Sequence, residues 1–181
     1  DLLKEAKELA EKGVKELILV AQETTLYGMD LYGKKALPEL LHKLAEIPGI
    51  FWIRILYCYP EEITEELIQT IKTEPKVCHY LDIPIQHASD AVLKRMGRRT
   101  NQEQLRSMIA RLREEIPDIC LRTTLITGFP GETQEDHEEL IDFVDDCEFD
   151  RLGVFTYSQE EDTPAALMPD QIDEEIKLER Q

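Results

Sequence analysis

Long apolar runs are missing from this sequence. No stretch of its 181 residues approaches the roughly 20 apolar positions that a membrane helix requires. The opening "DLLKEAKELAEKG" also lacks the layout of a secretory signal. Paired cysteines are missing too. Cys58, Cys78, Cys120 and Cys147 stand too far apart for any C-x-x-C, so neither a zinc ribbon nor a local cluster motif is written here. There is no P-loop lysine and no G-x-G-x-x-G, which removes the usual phosphate cradles. Positive charge is scarce, with 21 Lys and Arg against 38 Asp and Glu and a net charge of −17. Phosphate backbones need cations, so nucleic acid is not expected as a partner through this domain, whereas a basic protein partner suits such a surface. Low-complexity tracts are absent and 42% of residues are apolar, enough for one domain with a core. Unpaired thiols without a secretory signal point to the cytoplasm.

What is present is alternation. "DLLKEAKELAEKG" carries Leu2, Leu3, Ala6, Leu9 and Ala10 on one helical face, so the chain reads as beginning inside a helix, as an excised piece of something longer would. "VKELILVAQ" reads as a strand and "LPELLHKLAEI" as a helix with Pro38 near its first turn. "FWIRILYCY" is a second strand, followed by the helix "EEITEELIQTIKT". "HYLDIPIQ" is a third, with Pro84 marking a bulge or an early end. "SDAVLKRMG" and "NQEQLRSMIARLREEI" are consecutive helices, the second capped by Asn101. "ICLRTTLITG" with its helix "TQEDHEELIDFVDDC", then "RLGVFTYS" and the acidic "DQIDEEIKLERQ", complete the series.

Five strands separated by helices predict an α/β fold with a parallel sheet and right-handed crossovers. A doubly wound open sheet and a (β/α) barrel both satisfy that pattern. Polar residues close all five strands, at Gln22-Glu23-Thr24, Tyr57-Tyr59, Gln86-His87, Thr127 and Tyr157-Ser158, which favours a barrel mouth over a single crevice. The turn after the fourth strand, "TGFPGET", has glycines that let a ligand approach the backbone. Its helix starts with Thr133 as N-cap and Asp136 placed to reach back.

The segments "LILVAQETTLYGMDLYGKKALPELL", "RILYCYP", "IQHASDAVLKRMGRR", "LRTTLITGFPGETQEDHEELIDF" and "RLGVFTYSQEEDTPA" resemble, in order and over nearly the whole chain, the radical S-adenosylmethionine methylthiotransferases. The likeness is greatest to the branch that modifies an aspartate of a small-subunit ribosomal protein, and the tRNA-modifying branch is similar in layout. The resemblance implies a partial TIM-like radical SAM barrel with five of six strands, spanning residues 1–181. It also implies S-adenosylmethionine and [4Fe–4S] clusters as cofactors, a basic ribosomal protein as substrate, and an electron-donor protein. The family's C-x-x-x-C-x-x-C is not in this sequence. The chain therefore reads as starting after the cluster loop, without the N-terminal cluster domain or the C-terminal TRAM domain, and as inactive alone.

The resemblance also implies a cofactor site. Gln22, Glu23 and Thr24 would face the methionine ammonium, which offers only donors. Arg54 and Arg122, each inside an apolar strand, would pair with its carboxylate or with an internal acid. Gln86 would meet the ribose, Ile126 and Gly128 the adenosine, and Phe155 the adenine edge through its peptide group. Thr124 stands where many radical barrels have glycine, and Glu132 lies one place beyond the expected acid, so it reads as an ordinary helix-start acid. His42 and His137 read as surface residues, and Arg95, Arg98 and Arg99 as a basic cluster at the mouth or a solvated helix end. No catalytic residue and no metal ligand is identifiable. A cluster-free acidic (β/α) binding module is the alternative outside the family.

Overall fold

In the computed structural model, which describes residues 1–181, the alternation becomes one parallel sheet flanked by helices. The elements run α1 (Leu2–Glu11), β1 (Glu16–Leu19), α2 (Met29–Tyr32), α3 (Leu37–Ala45), β2 (Trp52–Ile55), α4 (Glu65–Thr73), β3 (Val77–Asp82), α5 (Asp90–Arg95), α6 (Gln102–Glu115), β4 (Cys120–Thr127), α7 (Gln134–Cys147), β5 (Arg151–Thr156) and α8 (Glu174–Arg180). The sheet order is β1-β2-β3-β4-β5. A doubly wound sheet reverses its order at a switch point, and this one never does. The winding is that of a (β/α) barrel.

The strands are shorter than their apolar stretches, for local reasons. β1 and β2 pair from Glu16↔Trp52 to Leu19↔Ile55. Pairing ends where Tyr57 takes a left-handed backbone, φ 57°, and its carbonyl turns to accept from Thr24 N at 3.0 Å. β3 begins at Val77, earlier than expected, and stops at Asp82 because Pro84 cannot donate to a ladder. Cys58 consequently lies beyond β2 rather than within a strand.

Backbone proximity divides the chain into two units, residues 1–83 with 110–121, and residues 84–109 with 122–181. In the first, α3 starts with Pro38 in its first turn and buries Leu37, Leu40, Leu41 and Leu44, while Ile53, Ile55, Ile71 and Leu81 add to the core. Thr64 caps α4 by accepting from Leu67 N at 3.2 Å. The segment "YGMDLYGKK" holds the single turn α2 between Gly28 and Gly33, both left-handed.

In the second unit the four residues of β4 from Thr124 alternate half-buried and buried, with Leu125 and Thr127 on the buried side. Phe143 and Leu140 of α7 are buried as well, and Arg106 lies over the Phe143 ring, 4.9 Å from its centre. Thr133 and Asp136 form the expected capping box, with Asp136 N donating to Thr133 Oγ1 at 3.1 Å and Thr133 N to Asp136 Oδ2 at 2.9 Å. Such a cap contributes about 1 kcal/mol. Asn101 and Gln104 reciprocate similarly at the head of α6.

Candidate functional site

Three strand ends carry left-handed backbone, while Glu148, Asp162 and Asp170 are left-handed elsewhere. Tyr57 (φ 57°) follows β2, Gln86 (φ 71°) follows β3, and Gly128 (φ 72°) follows β4. A non-glycine residue held in the left-handed region costs on the order of 1–3 kcal/mol, and such residues concentrate at functional sites.

In the first unit, Glu23 bridges two strand ends. One carboxylate oxygen accepts from Thr25 N at 2.9 Å and from the Thr25 hydroxyl, and the other accepts from Tyr59 N at 2.9 Å. Thr24 is buried and donates its hydroxyl to the Leu56 carbonyl at 2.6 Å. Gln22 is exposed beside them. Asp82, buried at the end of β3, accepts from Tyr57 N at 3.4 Å, and its carbonyl accepts from Cys58 N at 2.9 Å. Sequence reasoning passed over Asp82, although an acid inside "HYLDIPIQ" was the signal. Burial, with the nearby Glu23 and Asp82 charges, pushes the Cys58 thiol far up, so it remains protonated. Arg54 lies lower, inside β2. Its Nε donates to Glu16 at 2.7 Å and its guanidinium lies over the Tyr80 ring at 4.9 Å.

In the second unit, three of the expected residues fall in adjacent rows. Gln86 N donates to the Thr124 carbonyl at 3.0 Å and its own carbonyl accepts from Ile126 N at 2.8 Å. Ile126 stands opposite Phe155 in the β4–β5 register. Gly128 follows two residues on, and Phe155 is exposed. Arg122 does not join them, since it starts the same strand roughly 13 Å lower and donates to Thr124 Oγ1 at 3.3 Å. Gln86 Oε1, Thr127 Oγ1 and the Tyr157 hydroxyl are buried without hydrogen-bond partners. Such atoms ask for a ligand or an ordered water.

Beneath Gly128 lies a buried polar cluster whose main member was misjudged. Glu132 is not a helix-start acid exposed to water. Its side chain is 0% exposed, because the turn folds it back so that Oε2 accepts from Gly128 N at 2.7 Å and from Phe129 N at 3.3 Å. Its other oxygen takes Arg180 Nη1 at 2.9 Å. His87, also 0% exposed, presents Nε2 to Glu132 at 3.5 Å. Its Nδ1 accepts from Ser89 N at 3.0 Å, which puts the imidazole proton on Nε2. Burial pushes the Glu132 carboxyl up, but the His87 imidazole, the Arg180 guanidinium and the Gly128 amide outweigh it and hold the group below the usual glutamate range.

Two more expectations need correction here. His137 is buried, not a surface residue, because α7 turns it inward to within 3.9 Å of Glu132, and burial lowers its pKa. His42 is exposed, as expected, 3.3 Å from Glu74. Of the basic cluster, Arg95 donates to the Pro130 carbonyl at 3.4 Å and Arg98 to the Pro84 carbonyl at 2.8 Å. Arg98 thus ties down a loop, while Arg95 and Arg99 are exposed, as a solvated helix end would have them.

No group of three or more His, Cys, Asp or Glu side chains is arranged to hold a metal ion. No helix is long and apolar enough to cross a membrane.

Known proteins resemble this chain in sequence and in fold. The chain is 71% identical over 180 residues to the protein of Lachnoclostridium phytofermentans named ribosomal protein uS12 methylthiotransferase RimO, covering 99% of this chain and 41% of that one. Proteins of the same name from Clostridioides difficile and Geobacter sulfurreducens are 58% and 60% identical, with 99% of this chain and 40% of each relative covered. The chain thus spans about two fifths of the length of these curated relatives. Among solved structures, the radical S-adenosylmethionine methyltransferase TsrM of Kitasatospora setae matches with a TM-score of 0.64 at 18% identity, covering 85% of this chain and 30% of that one. Archaeal Elp3 of Methanocaldococcus infernus matches with a TM-score of 0.57 at 15% identity, over 91% of this chain and 42% of that one. These two likenesses bear on the fold alone. The model of the Radical SAM superfamily matches residues 1–144, and the chain belongs to that superfamily.

Proposed function

We propose that this chain is the core of a radical S-adenosylmethionine methylthiotransferase that modifies ribosomal protein uS12. The observation that carries this reading is the 58–71% identity, over essentially the whole chain, to relatives bearing that name. The excess of acidic residues, 38 against 21 basic ones, suits a basic ribosomal protein better than tRNA as the docking partner. A cytoplasmic setting and a separate electron-donor protein belong to the same reading.

Two cofactors are implied, and the residues treat them differently. A [4Fe–4S] cluster needs several thiolates together. Here Cys58 and Cys147 are buried, Cys78 and Cys120 sit on β3 and β4, and the four do not gather into a metal-binding group. The cluster does not fit these residues, so its ligands are assigned to the remainder of the whole protein and no step is derived through it here. S-adenosylmethionine fits better, because Gln86 Oε1 is buried and unpartnered on a strained backbone in the row next to Ile126. When bound, it supplies a deoxyadenosyl radical and a methyl group.

This chain's residues would bind and orient that cofactor. Gln86 would accept from a ribose hydroxyl, Ile126 would pack beneath the adenine, and Gly128 would admit the adenosine close to the backbone. The Phe155 peptide would meet the adenine edge. Gln22, Glu23 and Thr24 would face the methionine ammonium. Glu23 already holds Thr25 and Tyr59, so its part is to shape that loop as much as to carry charge. Arg54 and Arg122 are not retained for the cofactor carboxylate, since Arg54 is engaged by Glu16 and Arg122 lies low on β4.

The test is turnover by the whole protein, reconstituted anaerobically with iron, sulfide, reductant and S-adenosylmethionine. A methylthio group should appear on uS12 and none on tRNA, and modification of tRNA alone would overturn the assignment. Gln86→Leu should raise the KM for S-adenosylmethionine about tenfold, the order expected for one lost hydrogen bond to a buried acceptor, with the melting temperature unchanged. An unaltered KM removes Gln86 from the site.

A further inference from the structure

The segment after β5 reaches back onto the turn that follows β4 at several points. Asp170 accepts from Gly131 N at 2.9 Å. From α8, the Lys177 stem lies against Gly128, and its ammonium sits 5.3 Å from the centre of the Tyr157 ring. Arg180, with a side chain only 10% exposed, donates from one nitrogen to both the Glu132 carboxylate, at 2.9 Å, and the Glu132 carbonyl, at 3.2 Å. Gln181 Nε2 donates to the Val154 carbonyl of β5 at 3.0 Å.

We propose that Arg180 is a positioning residue for the cofactor turn. By fixing one oxygen of Glu132 it aims the other at the Gly128 and Phe129 amides, and so sets the left-handed backbone at Gly128 on which the adenosine would rest. Arg180 hydrogen-bonds Glu132 directly through its guanidinium, at the carboxylate and at the carbonyl. The two histidines nearby stand off at 3.5 and 3.9 Å, and neither is hydrogen-bonded to the carboxylate. Without the guanidinium, the buried carboxylate keeps only His87, 3.5 Å from the oxygen that faces Gly128, and the Gly128 amide loses a firmly held acceptor. This inference rests on the reading of S-adenosylmethionine as the ligand at Gly128.

The experiment uses the whole reconstituted protein and the variants Arg180→Ala and Arg180→Lys, with S-adenosylmethionine as the probe. Amide hydrogen exchange at Gly128 and steady-state turnover are measured on each. For Arg180→Ala, exchange at Gly128 should quicken at least about tenfold while the amides of β1 and β2 keep their protection. The KM for S-adenosylmethionine should rise about tenfold with kcat changed less than about twofold, as for lost uniform binding. Arg180→Lys should recover most of both effects. Unchanged exchange at Gly128 overturns the proposal. So does a uniform loss of protection throughout the chain, which marks Arg180 as merely stabilising. Faster exchange at Gly128 with an unaltered KM also overturns it, and there the fault lies in placing the adenosine on this turn. Absence of turnover in the parent protein would count against the functional reading alone, since the exchange measurement stands without it.

Discussion

Replacing Glu132 by alanine should lower the unfolding free energy by about 3 kcal/mol or more, measured by urea titration. This is the scale seen when one partner is removed from a buried ion pair. The carboxylate is fully enclosed and engages Gly128 N, Phe129 N and Arg180 together. Its loss strands two amides and a guanidinium that is nine-tenths buried. The pH dependence follows from the lowered carboxyl pKa. A depressed folded-state value means that the stabilisation is complete above the unfolded pKa and fades as pH falls through the folded one. The gap between parent and Glu132→Ala should thus be constant from neutrality down to the ordinary glutamate pKa and shrink only below it. A cost under about 1 kcal/mol at neutral pH would show that the cluster relaxes freely.

Gly128→Ala should cost about 2–4 kcal/mol, combining left-handed backbone strain with overpacking. At φ 72° any side chain is strained, and a methyl there collides with the Lys177 stem. The two contributions separate in a double-mutant cycle. On a Lys177→Ala background most of the steric part should vanish, because Cγ and Cδ leave and only Cβ, 3.1 Å from the added methyl, remains beside about 1 kcal/mol of strain. If the cost of Gly128→Ala is the same on both backgrounds, Lys177 does not press on this glycine. The residual strain is also a reason for the turn to carry glycine where a ligand is to approach closely.

Local chemistry made much of this fold readable. Thr133 and Asp136, three residues apart, specify their helix through hydrogen bonds made within four residues, and Pro38 favours its helix start through its fixed φ. The alternation of apolar strand and amphipathic helix sufficed for the parallel sheet. What stayed hidden depends on partners far along the chain. Glu132 reads as a helix-start acid because the residue that claims it, Arg180, comes 48 positions later. His137 reads as exposed because nothing near it announces the buried carboxylate beside it. Arg98 looks like part of a solvated basic cluster until the carbonyl of Pro84 is seen in front of it. The early end of β1 follows from Tyr57, a residue with no intrinsic preference for left-handed backbone.

The unbroken sequential order of the sheet also bears on how the molecule is made. Each strand from β2 onward is placed beside the one synthesised just before it, and no strand must wait for a later one to be inserted between established neighbours. Loop-closure entropy is therefore met one helix-length at a time, and the longest-range strand pairing never spans the chain. Such a sheet can grow at its C-terminal edge as the ribosome delivers it, with α8 and its arginine following β5 to lock the turn already in place.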